Sequence, residues 1–272
     1  MRRTFLFLVL VFGFFSCEDV IEVDLPTSET RLVVDALIGF NSRDGDPITV
    51  GQVKLTLTTP FFEQVVPPAE NAIVEIIDEQ TGEVFPLSES DPGVFTTGFP
   101  NLEFDRDYTL SIQYNGEVYT ATERLSPSPV IDDAVQGDGF LFDEEEETEV
   151  IITFTDIPGQ RNNYLFSFGF DNFLVIEDEF FQDSEITFSY FYEDVEPGDV
   201  LPITLFGVNQ GFANYAELVL TQSGQDGGGP FSTPPATIKG NIINTTNNDN
   251  FPFGYFAISE FDARFITVME EQ

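Results

Sequence analysis

The residue with the most specific chemistry is the single cysteine. The chain contains one Cys, no His and no Trp. Cys17 follows Ser16 at the end of an apolar run from Phe5 to Phe15, itself preceded by Met1-Arg2-Arg3. The run is shorter than the ~20 residues that cross a bilayer. A basic start, a short apolar run and a small residue before Cys read as a lipoprotein signal. The expected chemistry is cleavage before Cys17, removal of residues 1–16, and attachment of diacylglycerol to the thiol. Each buried acyl CH₂ then adds about 0.8 kcal/mol of membrane affinity.

The remaining residue types exclude more than they offer. Without His there is no Ser-His-Asp or Cys-His catalysis and no His-ligated zinc or haem. One Cys provides neither an intrachain disulfide nor a cysteine cluster. The only lysines, Lys54 and Lys239, follow no Ser-x-x-Lys pattern, which removes Ser-Lys chemistry. There are 48 Asp+Glu against 10 Lys+Arg, a formal charge of −38 that repels nucleic acid. Paired carboxylates can run glycoside hydrolysis, but nothing in so many acids selects a pair. The chain reads as a non-enzyme.

Nor does a metal or cofactor find a pattern. Asp143-Glu-Glu-Glu-Glu147 is the densest acidic run. Consecutive side chains do not converge on one Ca²⁺, which takes six to eight oxygens, and no Asp-x-Asp-x-Asp-Gly loop is present. A solvated loop is the simpler reading, as it is for Glu177-Asp-Glu179 and for the turn Asp44-Gly-Asp46.

Aromatic residues are the better candidates for contact. Phe61-Phe62 lies between Pro60 and Pro67-Pro68, as at an exposed loop tip. Phe180-Phe181 and Tyr190-Phe191-Tyr192 place neighbouring rings on opposite faces of a strand, so at least one ring should be exposed or cover an interdomain face. Phe61, Phe62, Phe180, Phe181, Tyr190 and Tyr192 are therefore candidate binding residues. Phe166, Phe168 and Phe170 alternate and read as core.

The elements that must carry these residues are strands. Val53, Leu55 and Leu57 alternate with polar residues, as does Tyr108 to Tyr114. Asn115-Gly116 then supplies the two positive-φ residues of a type I′ hairpin before Glu117–Glu123. Gly82, Pro92-Gly93, Pro197-Gly198 and Gly224 punctuate turns. No amphipathic helix is evident, and 31 Phe favour strands. Short, regularly spaced strands imply an all-β protein of sandwich type. Ser126-Pro-Ser-Pro129 reads as an extended connector, dividing an N-terminal sandwich (17–126) from a C-terminal β-rich domain (127–272). Residues 222–236 and 241–250 read as long loops.

Several blocks together resemble the Bacteroidota lipoproteins catalogued as domain of unknown function 4249. They are Cys17-Glu18-Asp19, Ile21–Leu25, Arg31–Ile38, Asn71–Asp78, Asp91–Phe95 and Tyr108–Tyr114. Later blocks are Asp156–Phe168, Glu196–Asp199, Tyr215–Leu220 and Gly254–Ser259. The resemblance implies an immunoglobulin- or transthyretin-like sandwich followed by a second sandwich-like domain. It implies an outer-membrane lipoprotein, exposed at the cell surface and working beside a TonB-dependent receptor in nutrient capture. It carries no catalytic residues. The rival expectation is a structural or adhesive surface protein with no small ligand.

Overall fold

The computed structural model describes residues 29–43, 45, 47–60, 63, 65–142, 147–170, 172–180, 182–223 and 237–270. In chain order the first half forms β1 (Leu32–Asn41), β2 (Ile48–Leu57), β3 (Ile73–Asp78), β4 (Val84–Pro86), β5 (Ser88–Asp91), β6 (Val94–Thr97), β7 (Asp107–Tyr114) and β8 (Glu117–Arg124). The second half forms β9 (Ile131–Gln136), β10 (Glu147–Thr155), β11 (Asn163–Ser167), β12 (Phe173–Glu177), β13 (Glu185–Glu193) and β14 (Val200–Val208). A helix α1 (Gln210–Ser223), β15 (Ile243–Asn244) and β16 (Phe253–Thr267) complete it.

Among the described residues the protein is all-β except for α1 and a 3₁₀ turn at Asp178–Phe180. One eight-stranded sheet, ordered β12-β11-β14-β16-β1-β2-β6-β5, runs through both halves. A five-stranded sheet, β15-β8-β7-β3-β4, faces its first-half strands, and a three-stranded sheet, β13-β10-β9, faces its second-half strands. Two sandwiches thus share one long sheet.

Strand β16 makes that sharing possible. Residues 253–260 pair in parallel with β1, and 261–267 pair antiparallel with β14. Successive side chains alternate across a strand. Phe256 and Ile258 therefore enter the first core with Val34, Ala36, Ile38, Val53, Leu55, Val74, Ile76, Leu110 and Ile112. Ile266, on the same face, reaches the second core of Val150, Ile152, Phe154, Tyr164, Phe166, Phe168, Leu201, Ile203 and Leu205. Fully burying one such side chain stabilises the fold by roughly 1.5–3 kcal/mol. The two cores are distinct, but the first takes Ile242, Phe256 and Ile258 from beyond the boundary expected at 126/127, and the long sheet runs through both halves.

The connector is clamped along β16. Ser126 donates to the Ile258 carbonyl at 3.1 Å and accepts from the Glu260 N–H at 2.8 Å. Glu260 Oε2 accepts from Ser128 N at 3.0 Å, and Asp262 Oδ2 accepts from Ile131 N at 2.8 Å. Arg43 pairs with Glu260 at 2.6 Å and donates to the Ser128 and Pro129 carbonyls. Arg264 closes the set on Asp262 and the Ile131 carbonyl.

Other expectations meet their outcomes locally. The hairpin stands at Asn115 (φ 50°) and Gly116 (φ 79°) between β7 and β8. Phe166 and Phe168 are core, whereas Phe170 is 74% exposed. The backbone turns left-handed at Gly169 and Phe170, which takes Phe170 out of the strand alternation. Residues 224–236 lie outside the described residues, but Gln222 and Ser223 belong to α1 rather than to a loop.

Candidate ligand-binding site

Helix α1 is the element not expected from the sequence, and it builds the site. Asn209 caps it: its Oδ1 accepts from Phe212 N at 2.8 Å, the usual way to satisfy a free N–H of a first turn. Phe212, Ala213, Tyr215 and Ala216 then lie against Leu165, Val208, Tyr255 and Ala257 on the outer face of the long sheet. This face is opposite to the two cores, because Tyr255 and Ala257 alternate with Phe256 and Ile258.

That arrangement explains the composition of β1. Its residues 34, 36 and 38 enter the first core, while Val33, Asp35 and Leu37 face the helix side. A strand covered on both faces needs apolar residues at nearly every position. Leu32-Val-Val-Asp-Ala-Leu-Ile38 obeys that rule except at Asp35.

Between β1, the edge strand β12 and the second half of α1 lies a cavity of about 370 Å³. Small-molecule sites span roughly 300–1,000 Å³. Val33, Leu37, Phe173, Tyr215, Val219 and Tyr255 are among its walls, and the lining is mainly apolar. It is open to solvent, since both Asp35 and Val219 are exposed. Phe212, Tyr215 and Tyr255 form an aromatic cluster, with the Tyr255 ring 5.2 Å from each of the other two.

Electrostatics single out Asp35. The carboxyl is accessible at the cavity wall, yet most of its surroundings are protein. Burial raises its pKa, and the charge of Lys54, its partner in register on β2, pulls part of that back. Among the described residues, Asp35 has no ion pair within 4 Å. Burial and the Asp35 charge raise the Tyr215 phenol. Burial and Glu123 do the same for Tyr255. All three groups resist carrying charge.

A second polar cluster anchors the start of the helix. Asn209 Nδ2 and Asn241 Nδ2 donate to the two oxygens of Glu123 at 2.6 and 2.7 Å. Burial raises the Glu123 carboxyl, against the stabilising pull of these amides. The cluster positions the start of α1 from the first sandwich.

The sequence candidates lie elsewhere. Cys17, Phe61, Phe62 and Phe181 lie outside the described residues, and Phe180 ends the 3₁₀ turn. Tyr190 and Tyr192 belong to the second core, which corrects the expectation of a contact surface there. Tyr190 stacks on Phe168 at 3.6 Å, and Tyr192 is buried with its hydroxyl donating to the Pro202 carbonyl at 3.2 Å. The acidic turn is corrected too: Asp178 is buried and accepts from Asn162 N at 2.7 Å, while Glu177 and Glu179 flank Arg161. Asp143–Glu146, Asp44 and Asp46 lie outside the described residues. Among the described residues no three carboxylates converge as a metal site would require. The signal for the site was available in Asp35, a lone acid in an aliphatic strand.

Fold and site together define an all-β protein of two fused sandwiches with a helix-covered cavity of small-molecule size. The chain belongs to the family described as domain of unknown function 4249, whose model matches residues 18–264. That match begins before β1 and ends within β16, so the family unit is the fused pair and not either sandwich. Comparison with curated proteins finds no match. Among the described residues no helix is long and apolar enough to cross a membrane.

Proposed function

We propose that this protein is a non-enzymatic binding module, lipid-anchored through Cys17 at the cell-surface face of a Bacteroidota outer membrane. It holds a small ligand in the cavity beneath α1 and works beside a TonB-dependent receptor in nutrient capture. The observation that carries the reading is the cavity itself. It is open, mainly apolar and of ligand size, and it sits on a sheet made rigid by the pairing of β16 with β1 and β14. Its walls offer one carboxylate and two phenols, and among the described residues that line it there is no Ser, Cys, Lys or His. The Ser16-Cys17 pattern after an apolar run supports the anchor, and membership of the family supports the setting.

The test is a pull-down of the tagged, lipidated protein from outer membranes, read by mass spectrometry. Recovery of a TonB-dependent barrel at near-equal amount is the expected result. Recovery of the protein alone from membranes that contain the barrel overturns the receptor partnership. Failure of acyl label to enter the protein, or its retention after Cys17→Ala, overturns the anchor.

A further inference from the structure

The cavity has a polarity that narrows the chemistry of its occupant. Asp35 stands among Val33, Leu37 and the aromatic cluster, where a methyl or methylene would pack better. No neighbouring cation neutralises it within 4 Å among the described residues. Asp35 is thus the one charged group of the lining, accessible from solvent, that a ligand entering the cavity would meet.

Two further observations point the same way. The rings of Phe212, Tyr215 and Tyr255 line the same space, and ring faces attract cations within ≈ 6 Å. The protein as a whole carries −38, so an anion entering the cavity meets repulsion from Asp35 and from the surrounding field, whereas a cation is drawn in. Lys54, the one cation in register with Asp35, is exposed on the neighbouring strand and does not line the cavity.

We propose that the cavity takes an organic cation, an amine with an apolar body. The body lies against Leu37, Phe173 and Val219, and the ammonium sits at Asp35 beside the Tyr215 and Tyr255 rings. The assignment rests on the reading of the cavity as a ligand site and adds to it the charge and class of the ligand. Fatty acids and other amphiphilic anions, which fit the same apolar walls, are excluded by charge.

The experiment compares three probes of equal length on the full chain: octylamine, octanol and octanoate. Isothermal titration calorimetry is the readout, because the chain has no Trp to report by fluorescence. Salt at 0.5 M, a chosen condition at which the Debye length is only ~4 Å, suppresses adsorption to the acidic surface. The expected result is saturable one-to-one binding of octylamine, about tenfold tighter than octanol, with octanoate weakest. Asp35→Asn should bring octylamine down to the octanol level and leave octanol unchanged. Val219→Trp, which fills the cavity from its exposed wall, should weaken all three.

Equal binding of octylamine and octanol, or an amine preference that survives Asp35→Asn, overturns the cation assignment while the ligand site stands. Absence of binding by all three probes overturns the ligand site itself. So does an amine response that never saturates and ignores Val219→Trp. Circular dichroism of both variants separates loss of binding from loss of fold.

Discussion

Asn241 grips the backbone of Phe256 at both polar groups: its Oδ1 accepts from the Phe256 N–H at 2.9 Å, and its Nδ2 donates to the Phe256 carbonyl at 2.8 Å. One side-chain amide thereby does for the edge of β16 what a neighbouring strand would do. It works opposite β1, next to the stretch where Ser126 bridges Ser259. The same Nδ2 donates to Glu123, which ties this edge to the first residue before α1 through Asn209.

Asn241→Ala should therefore cost about 2 kcal/mol, the penalty for leaving partly buried backbone groups without partners. Asn241→Asp should cost more. A carboxylate cannot donate to the Phe256 carbonyl, and it would face Glu123 with like charge. Urea unfolding curves check both, and an aspartate variant as stable as wild type would contradict the assigned geometry.

The Arg43–Glu260 pair gives a second expectation. Glu260 is buried and Arg43 partly so, at 2.6 Å. Removing one partner strands a buried charge, which costs more than the pair contributes. Arg43→Met should destabilise by about 2–3 kcal/mol, at the low end because the guanidinium keeps some solvent. The double variant Arg43→Met/Glu260→Gln should recover part of that loss. A double-mutant cycle in urea measures the coupling, and additive losses would show that the pair is not coupled.

Loss of β16 should be more damaging than any single contact. A chain ending at residue 126 retains β1 to β8 but loses Phe256, Ile258 and the parallel partner of β1. Its β1 becomes an open, apolar edge, a template for aggregation. The truncated chain should fail to give a dispersed amide spectrum and should aggregate, whereas the full chain folds. A well-dispersed, monomeric fragment would mean that the first sandwich is self-sufficient.

This dependence also explains what the sequence made legible. Strands such as Tyr108–Tyr114 and the Asn115-Gly116 turn are local events, encoded by alternation and by positive φ, and they stand where expected. The pairing of β1 with β16 joins residues more than two hundred positions apart, and no local pattern announces it. Helix α1 was missed for a local reason. Its stripe of Phe212, Tyr215/Ala216 and Val219 is diluted by Gly211 and by the exposed Leu218, and its first turn carries no acid. Asn209 as a cap was the available clue. Tyr190 and Tyr192 were legible as one strand face, but not as the face that meets Phe168.

Charge sets a broader expectation. At −38 the compact state repels itself, and screening should relieve this. Ca²⁺ or Mg²⁺ should raise the melting temperature modestly and without a defined stoichiometry, because no three carboxylates converge among the described residues. Thermal scans against metal concentration, with sodium chloride as the comparison at matched ionic strength, test this. A sharp one-site isotherm would instead reveal a specific site.

The pH dependence of stability should carry the signature of Asp35. Burial holds its carboxyl above the ordinary range in the folded chain, with Lys54 opposing. Below ~3.9 both folded and unfolded chains are protonated there, and the contribution is fully present. As pH rises the unfolded chain ionises first, so stability from this group is lost until pH passes the folded value. Lys54 faces it from β2, and the Tyr215 and Tyr255 phenols beside it stay neutral because both are raised. Asp78 runs the other way. Burial opposes its charge, but the Thr81 N–H, the Arg106 guanidinium and the Gln80 N–H outweigh it and lower the carboxyl, so its contribution is lost as pH falls. Asp35→Asn should therefore match wild type near pH 3, below the unfolded value of ~3.9, and exceed it at neutral pH. The gain is about 2 °C in melting temperature, small because the carboxyl keeps solvent. An equal difference at both pH values would show that Asp35 ionises in the folded protein as freely as in the unfolded one, and that the cavity does not strain its charge.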